Sequence, residues 1–166
     1  MTDPFTQHTY VLIAAAIAIL AAARYDVREF RIPNECSLLL LALYPIHVWL
    51  SHEAVPLDTS VVTAAIVFAL GYLIHRIGHF GAGDVKLLSV LALWAGPAWI
   101  ADLAVITSLA GGAMAIIYMT RYRMTLAYAF DLVGDTRARD TILAEQLPYG
   151  VAIAAGGVAV LIRLAA

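Results

Sequence analysis

Charged residues and cysteines are scarce in this chain of 166 residues. Only 13% of the residues are charged, and the formal net charge of -2 is too small to indicate nucleic acid as a partner. The single cysteine, Cys36, excludes an internal disulfide and a thiolate zinc cluster. Because Cys36 begins an apolar run, we expect it to be a small buried hydrophobe. We therefore predict no metal and no other cofactor.

Hydrophobic residues make up 63% of the chain, above the roughly 45 to 50% of soluble domains. They form runs nearly free of charge, and about 20 such residues in a helix cross a bilayer core of roughly 30 Å. The predicted spans are 5–23, 35–51, 59–76, 85–100, 102–120 and 146–163. The sequence thus predicts an all-α integral membrane protein, a polytopic bundle of about six transmembrane helices in one domain (1–166).

Basic residues set the orientation of such a bundle, because they gather in short cytoplasmic loops. Six spans with the N-terminus outside leave only Arg163 on the outer side. The inner side then holds Arg24, Arg28, Arg31, Arg76, Lys86, Arg121, Arg123, Arg137 and Arg139. No basic residue precedes the first span, so we expect a retained helix and not a secretory signal. The largest aqueous segment is then the cytoplasmic stretch 121–145.

Two aspartates fall at one depth in this topology. Asp26 ends the first span and Asp84 begins the fourth, both at the cytoplasmic boundary. Two carboxyl groups held close cannot both ionise easily, so they share one proton. This singly protonated pair is the working state of an aspartic protease. Gly81 and Gly83 permit backbone conformations closed to other residues and the close approach of an extended substrate strand.

Structural interpretations of the same residues stay open. Asp84 alone suits the N-cap of the fourth helix, where its side chain would accept free backbone N–H groups. Asp26 among arginines fits a solvated interfacial charge, and Lys86 can snorkel to the headgroups. Pro33 and Asn34 indicate a turn in which Asn34 caps the second span.

The histidines offer a competing chemistry. His75 and His79 would share one face of a helix, as some metal-ligand pairs do, with Asp84 as a third ligand. However, zinc proteases with two histidines four residues apart on a helix carry a glutamate base directly after the first histidine, and this chain has Arg76 there. Gly78 also disfavours a continuous helix. The remaining histidines lie on the outer half of the predicted bundle and are expected at its interface: His8, His47 and His52.

Three segments resemble the type IV prepilin leader peptidases, a family of GxGD-type aspartic membrane peptidases. "FGAGDVKL" (80–87) is similar to the family's GxGD signature followed by a lysine. "DVREFRIPN" (26–34) resembles its first motif, an aspartate and a basic residue leading to Ile-Pro-Asn. "LPYGVAIAAGG" (147–157) resembles its closing helix.

The resemblance implies a membrane-embedded aspartic endopeptidase. Its substrate would be a prepilin, whose short basic leader precedes a hydrophobic helix, and cleavage would occur at the cytoplasmic face of the bacterial inner membrane. Asp26 and Asp84 would be the catalytic pair, and Gly81, Gly83 and Lys86 would shape the site. We also expect the Lys86 charge to lower the cost of ionising the pair.

The chain departs from the long, bifunctional members of that family, which also N-methylate the pilin. Their cysteine-rich zinc loop between the first two helices has no counterpart in about ten residues with one cysteine. We therefore expect no methyltransferase activity and a compact peptidase of the tight-adherence (Flp) type. A basic leader could contact Glu29, Glu35 or the acids of 121–145, although solvated loop charges are the better explanation of these residues. The alternative function is a non-catalytic scaffold or transporter subunit, but no charged group lies deep in a span, which disfavours transport.

Overall fold

A computed structural model describes residues 4–51, 55–78, 80–119, 122–143 and 147–166. Within these ranges the chain forms seven helices and no strand, which confirms the predicted all-helical class. The helices are α1 (Pro4–Glu29), α2 (Asn34–Leu50), α3 (Leu57–Arg76), α4 (Ala82–Met119), α5 (Tyr122–Leu132), α6 (Thr136–Leu143) and α7 (Tyr149–Ala165).

The long helices have the composition of membrane spans. The segment Gln7–Glu29 of α1, together with α3 and α4, is long and apolar enough to cross a bilayer, and α2 and α7 are shorter apolar helices. Large apolar side chains such as Trp49, Leu73 and Leu109 are exposed on the surface. An apolar surface of this kind is typical of a protein that faces lipid.

α4 is a helical hairpin that reverses at Gly96. Gly96 has φ 54° and ψ -169°, a backbone conformation that strongly favours glycine. Pro97 follows it, where the missing N–H suits the first turn of a new helix. The two arms, 82–95 and 97–119, lie side by side, because Leu91 and Leu103 contact the adjacent glycines Gly157 and Gly156 of α7.

The hairpin accounts for the length of α4. Its 38 residues would extend about 57 Å as a straight helix, roughly twice a bilayer core. The arms correspond to the fourth and fifth predicted spans. The reversal lies at Gly96, however, before the predicted boundary near Ala101, because Pro97 already begins the second arm.

The predicted aqueous segment 121–145 contains the short helices α5 and α6, which the sequence analysis did not predict. α6 packs against α1 and buries Ala138 and Ile142. Arg28 at the end of α1 donates through Nε to Asp135 Oδ2 at 2.8 Å. The segment is thus attached to the end of α1 that carries Asp26.

The other end of the bundle holds a cluster of four rings, His8, Tyr44, His47 and Trp94, which we name the distal cluster. The His8 Nε2 and His47 Nδ1 atoms are 2.9 Å apart and form a hydrogen bond. The His47 ring stacks on both His8 and Trp94. His47 is only 2% exposed, so its ring lies inside the bundle and not on its surface. His52 lies outside the described residues.

Candidate active site

Four segments, from three distant parts of the sequence, surround a cavity of about 850 Å³ at the end of the bundle opposite the distal cluster. They are the end of α1, the α3–α4 connection, the first turn of α4 and the start of α7. The cavity is lined by Asp26, Phe30, Gly78, Phe80, Gly81, Asp84, Leu147 and Tyr149. The two aspartates singled out in the sequence therefore line one cavity.

Asp26 is held by the start of α7. Its side chain lies in the last turn of α1 and is only 6% exposed. The backbone N–H of Gly150 donates to Asp26 Oδ2 at 2.6 Å. Because a helix N-terminus presents free N–H groups and a partial positive charge, this contact favours a carboxylate.

Gly150 leaves no room for a side chain beside Asp26. A Cβ atom at this position would lie 2.8 Å from Asp26 Oδ2 and 2.9 Å from Ile32 Cδ1. The resemblance of 147–157 to the closing helix of the family pointed to this segment but gave Gly150 no role. The contact between α7 and Asp26 is a site feature that sequence reasoning missed.

Asp84 lies in the first turn of α4 and accepts a hydrogen bond from the backbone N–H of Gly81. The N-cap interpretation is correct only in part. Asp84 is the third residue of α4 and not its N-cap, but its side chain does accept a hydrogen bond from the residue before the helix. Its second oxygen, Oδ1, is buried and has no hydrogen-bond partner among the described residues. A buried carboxyl oxygen without a partner is unusual and is compatible with a role in chemistry.

The two carboxyl groups are close enough to interact electrostatically. Tyr118, near the end of the second α4 arm, also interacts with Asp26. Tyr118 carries no motif, so nothing in the sequence indicated that it lies near the pair. α1, both arms of α4 and α7 thus converge on one acidic centre.

Gly83 and Lys86 connect α4 to the Ile-Pro-Asn turn. A Cβ atom at Gly83 would lie 3.0 Å from Ile32 Cβ, so the glycine permits close packing of the two segments. Lys86 Nζ donates to Asn34 Oδ1 at 2.9 Å, and Lys86 does not line the cavity. The prediction that Asn34 caps α2 is wrong, because Pro33 occupies the cap position and the helix has no side-chain cap.

Apolar side chains form the rest of the cavity wall. The Phe80 and Tyr149 rings meet edge to face, with centroids 5.5 Å apart. Phe30 has φ 47°, the left-handed region that is uncommon for a bulky residue. Such strain persists where the surroundings impose it, often at a functional site.

The competing metal site, which would need His75, His79 and Asp84, lies only partly within the described ranges. His75 Nδ1 is hydrogen-bonded to the Phe80 carbonyl oxygen at 2.7 Å, and His79 lies outside the described residues. No group of three metal-ligating side chains occurs in the part of the chain that the structure describes. His75 therefore supports the connection that carries Phe80 and Gly81.

Comparison with known proteins identifies a family whose match includes both aspartates. The type IV leader peptidase family matches residues 12–116, which include Asp26 and Asp84. Two relatives, each a "Prepilin leader peptidase/N-methyltransferase" from a strain of Burkholderia pseudomallei (1026b and K96243), are 27% identical over 150 residues. The alignment covers 87% of this chain but only 43% of each relative, and no solved structure matches. Because the family match extends over more than half of the sequence, the chain belongs to the type IV leader peptidase family.

Proposed function

We propose that the chain is a membrane-embedded aspartic endopeptidase that removes the short basic leader from type IV, Flp-like prepilins. One observation carries the proposal: Asp26 and Asp84, brought from different helices, line a single cavity, and one Asp84 oxygen has no partner among the described residues. The family membership and the names of the relatives support the substrate class.

The hydrogen bonds of Asp26 and Asp84 indicate which carboxyl group acts as the base and which as the acid. Asp26, which accepts the Gly150 N–H, acts as the carboxylate that takes a proton from water. Asp84 carries the shared proton on Oδ1 and donates it to the carbonyl oxygen of the scissile bond as water attacks the carbon. The C–N bond then breaks: the leaving amine takes the proton that Asp26 had received, and a hydroxyl of the tetrahedral intermediate returns its proton to Asp84, which leaves a carboxylic acid and the dyad in its starting state.

The basic residues support cleavage at the cytoplasmic face. Arg28, Arg76 and Arg137 lie at helix ends on the same side of the bundle as Asp26 and Asp84. Arg163 lies at the opposite end, where it pairs with Asp102. By the rule that short cytoplasmic loops are basic, the cavity faces the cytoplasm and the N-terminus lies outside.

The absence of N-methyltransferase activity is part of the proposal. The connection from α1 to α2 runs only from Phe30 to Pro33. The one cysteine, Cys36, is buried, as expected, so this region offers no set of thiolate ligands for zinc. Mass spectrometry of the processed pilin should therefore show an unmethylated N-terminus.

Co-expression with a glycine-cleaved pilin precursor tests the peptidase activity. We expect the wild-type chain to process the precursor and Asp26→Asn or Asp84→Asn to lower the rate by about 10³-fold or more, because asparagine cannot exchange the proton. Asp58→Asn is the matched control, since Asp58 is an exposed carboxylate in the first turn of α3. Processing by either dyad variant at a near-normal rate would mean that the dyad assignment is wrong, and no processing by the wild-type chain would support a non-catalytic scaffold.

A further inference from the structure

A second cavity, of about 340 Å³, adjoins the candidate active site. Phe80 and Tyr149 line both cavities, so these two rings form a common wall. The rest of the second cavity's wall comes from α3, the second arm of α4 and Leu88 of the first arm. We call it the α3–α4 groove.

One face of each helix lines the groove. On α3 the lining residues recur every three or four positions, which places them on a single side of the helix. They are Val67, Leu70, Gly71 and Ile74. The α4 arm contributes Ile100, Leu103, Ala104, Thr107 and Ser108 with the same spacing. Because α3 packs chiefly against α4 and most of its surface is exposed, the groove borders the lipid.

Small residues form a row along the α4 side of the groove. Ala104 and Ser108 line it and are exposed, and the next position of the row, Gly112, is exposed with nothing within 4 Å of a Cβ atom built there. Rows of small residues four apart let two membrane helices approach closely. This row has room for a helix that is not among the described elements.

The row extends from the level of the catalytic cavity into the membrane. Gly111 contacts the Tyr149 ring, which lines that cavity. At 1.5 Å per residue, Ala104 lies about 12 Å further along the helix than Gly112, toward the end that carries the distal cluster. A helix in the groove would therefore begin near Asp26 and Asp84 and continue across the bilayer.

We propose that the α3–α4 groove binds the hydrophobic helix of the precursor, the segment that follows the scissile bond. The inference rests on the proposed function and adds the position of the substrate. Continuity with the catalytic cavity favours this occupant: the helix would lie against Ala104 and Ser108, and its extended N-terminal end would pass the Phe80–Tyr149 wall to reach the dyad. The mode is that of an apolar helix in an apolar groove.

Two substrates separate binding in the groove from catalysis. One is the full precursor, and the other is a short peptide that contains only the leader and the residues around the scissile bond. Ala104→Leu and Ser108→Leu fill the groove, so we expect each to slow processing of the precursor by at least about tenfold. Both should cleave the short peptide within about twofold of the wild-type rate. Ala113→Leu, exposed on another face of the same arm, is the control.

The outcomes distinguish the groove from the activity itself. If both leucine variants processed the precursor at the wild-type rate, the proposal that the groove binds the precursor helix would be wrong, while the peptidase proposal would stand. An equal loss on both substrates would also count against it, because the change would then act on the dyad or the fold. If the wild-type chain cleaved neither substrate, the proposed function would fail.

Cross-linking identifies the occupant. The lone Cys36 is buried and can be replaced, so Cys36→Ser with Ser108→Cys gives one reactive thiol, and Asp84→Asn keeps the precursor uncut. With a single cysteine in the precursor helix, we expect a cross-linked complex of chain and precursor. A cross-link between two copies of this chain instead would overturn the proposal in favour of self-association.

Discussion

The two ends of the bundle each hold a pair of ionisable side chains, one buried and one partly exposed, but the two pairs differ in their hydrogen bonds. In the distal cluster, His8 and His47 bond to each other, and Trp94 Nε1 donates to the Leu40 carbonyl oxygen. At the opposite end, Asp84 Oδ1 has no partner among the described residues, and the pair faces a cavity of about 850 Å³. Satisfied polar groups rigidify a core, whereas unsatisfied ones beside open space can act on a substrate.

The distal cluster also contains one buried polar atom, the Tyr44 hydroxyl, that lacks a hydrogen-bond partner among the described residues. A neutral hydroxyl costs less to bury than an ionised carboxylate, so the packing of its ring can offset the loss. Tyr44 meets Trp94 edge to face with ring centroids 5.8 Å apart. The distal cluster is therefore expected to contribute to stability, and the acidic centre to activity.

Gly150→Ala should have the largest effect on the acidic end. The new Cβ would lie 2.8 Å from Asp26 Oδ2, so either Asp26 or the start of α7 must move. Because misplacing a catalytic group by about 1 Å can lower a rate about 10²-fold, we expect a loss of that order in precursor processing. Ala155→Val, on the exposed face of α7, is the control. Near-normal processing by Gly150→Ala would show that Gly150 does not position Asp26.

His47→Ala should reverse the pattern by lowering stability without lowering activity. Removing a fully buried ring that stacks on both His8 and Trp94 should cost about 2 to 4 kcal/mol of unfolding free energy. Denaturation in detergent measures this loss, and His47→Phe, which keeps the stacking, should recover most of it. A fall in processing per folded molecule would indicate that the two ends are coupled.

Lys86→Met and Asn34→Ala test whether Lys86 belongs to the acidic centre by charge or by packing. Because Lys86 Nζ donates to Asn34 Oδ1 and does not line the cavity, we expect each change to lower processing by less than about tenfold. The double variant should be no worse than either single one. An altered pH–activity profile in Lys86→Met alone would support the electrostatic role inferred from the sequence.

Local patterns in the sequence indicated much of this arrangement, and the missing parts are long-range. Apolar runs predicted the long helices, and the depths of Asp26 and Asp84 predicted that the pair could meet. The hydrogen bond from Gly150 to Asp26 and the electrostatic interaction of Tyr118 with Asp26 join residues far apart in the chain, so no motif or periodicity reveals them. The partners of His47 were hidden for the same reason.

Elsewhere the sequence signals were ambiguous. Asn34 is a good capping residue, but here its side chain accepts from Lys86 on another helix. The segment 121–145 is charged enough to suggest a loop, yet Arg139 of α6 forms an ion pair with Asp131 of α5 and another with its neighbour Asp140. Charges that the sequence suggested were solvated thus form ion pairs within and between helices.

The Arg28–Asp135 pair should give the smallest effect, because it lies outside both the acidic centre and the distal cluster. Hydrogen bonds from the Arg28 guanidinium and the Ala138 N–H hold the pKa of Asp135 below its ordinary value of 3.8. A carboxyl group with a lowered folded-state pKa stabilises the fold above its unfolded pKa, and this contribution disappears as the pH falls through the folded value. Asp135→Asn should therefore slightly lower the melting temperature at pH 7, and the difference from wild type should be smaller at a pH below 3.8. Thermal unfolding at both pH values measures this, and an equal difference at low pH would mean that Asp135 acts through packing.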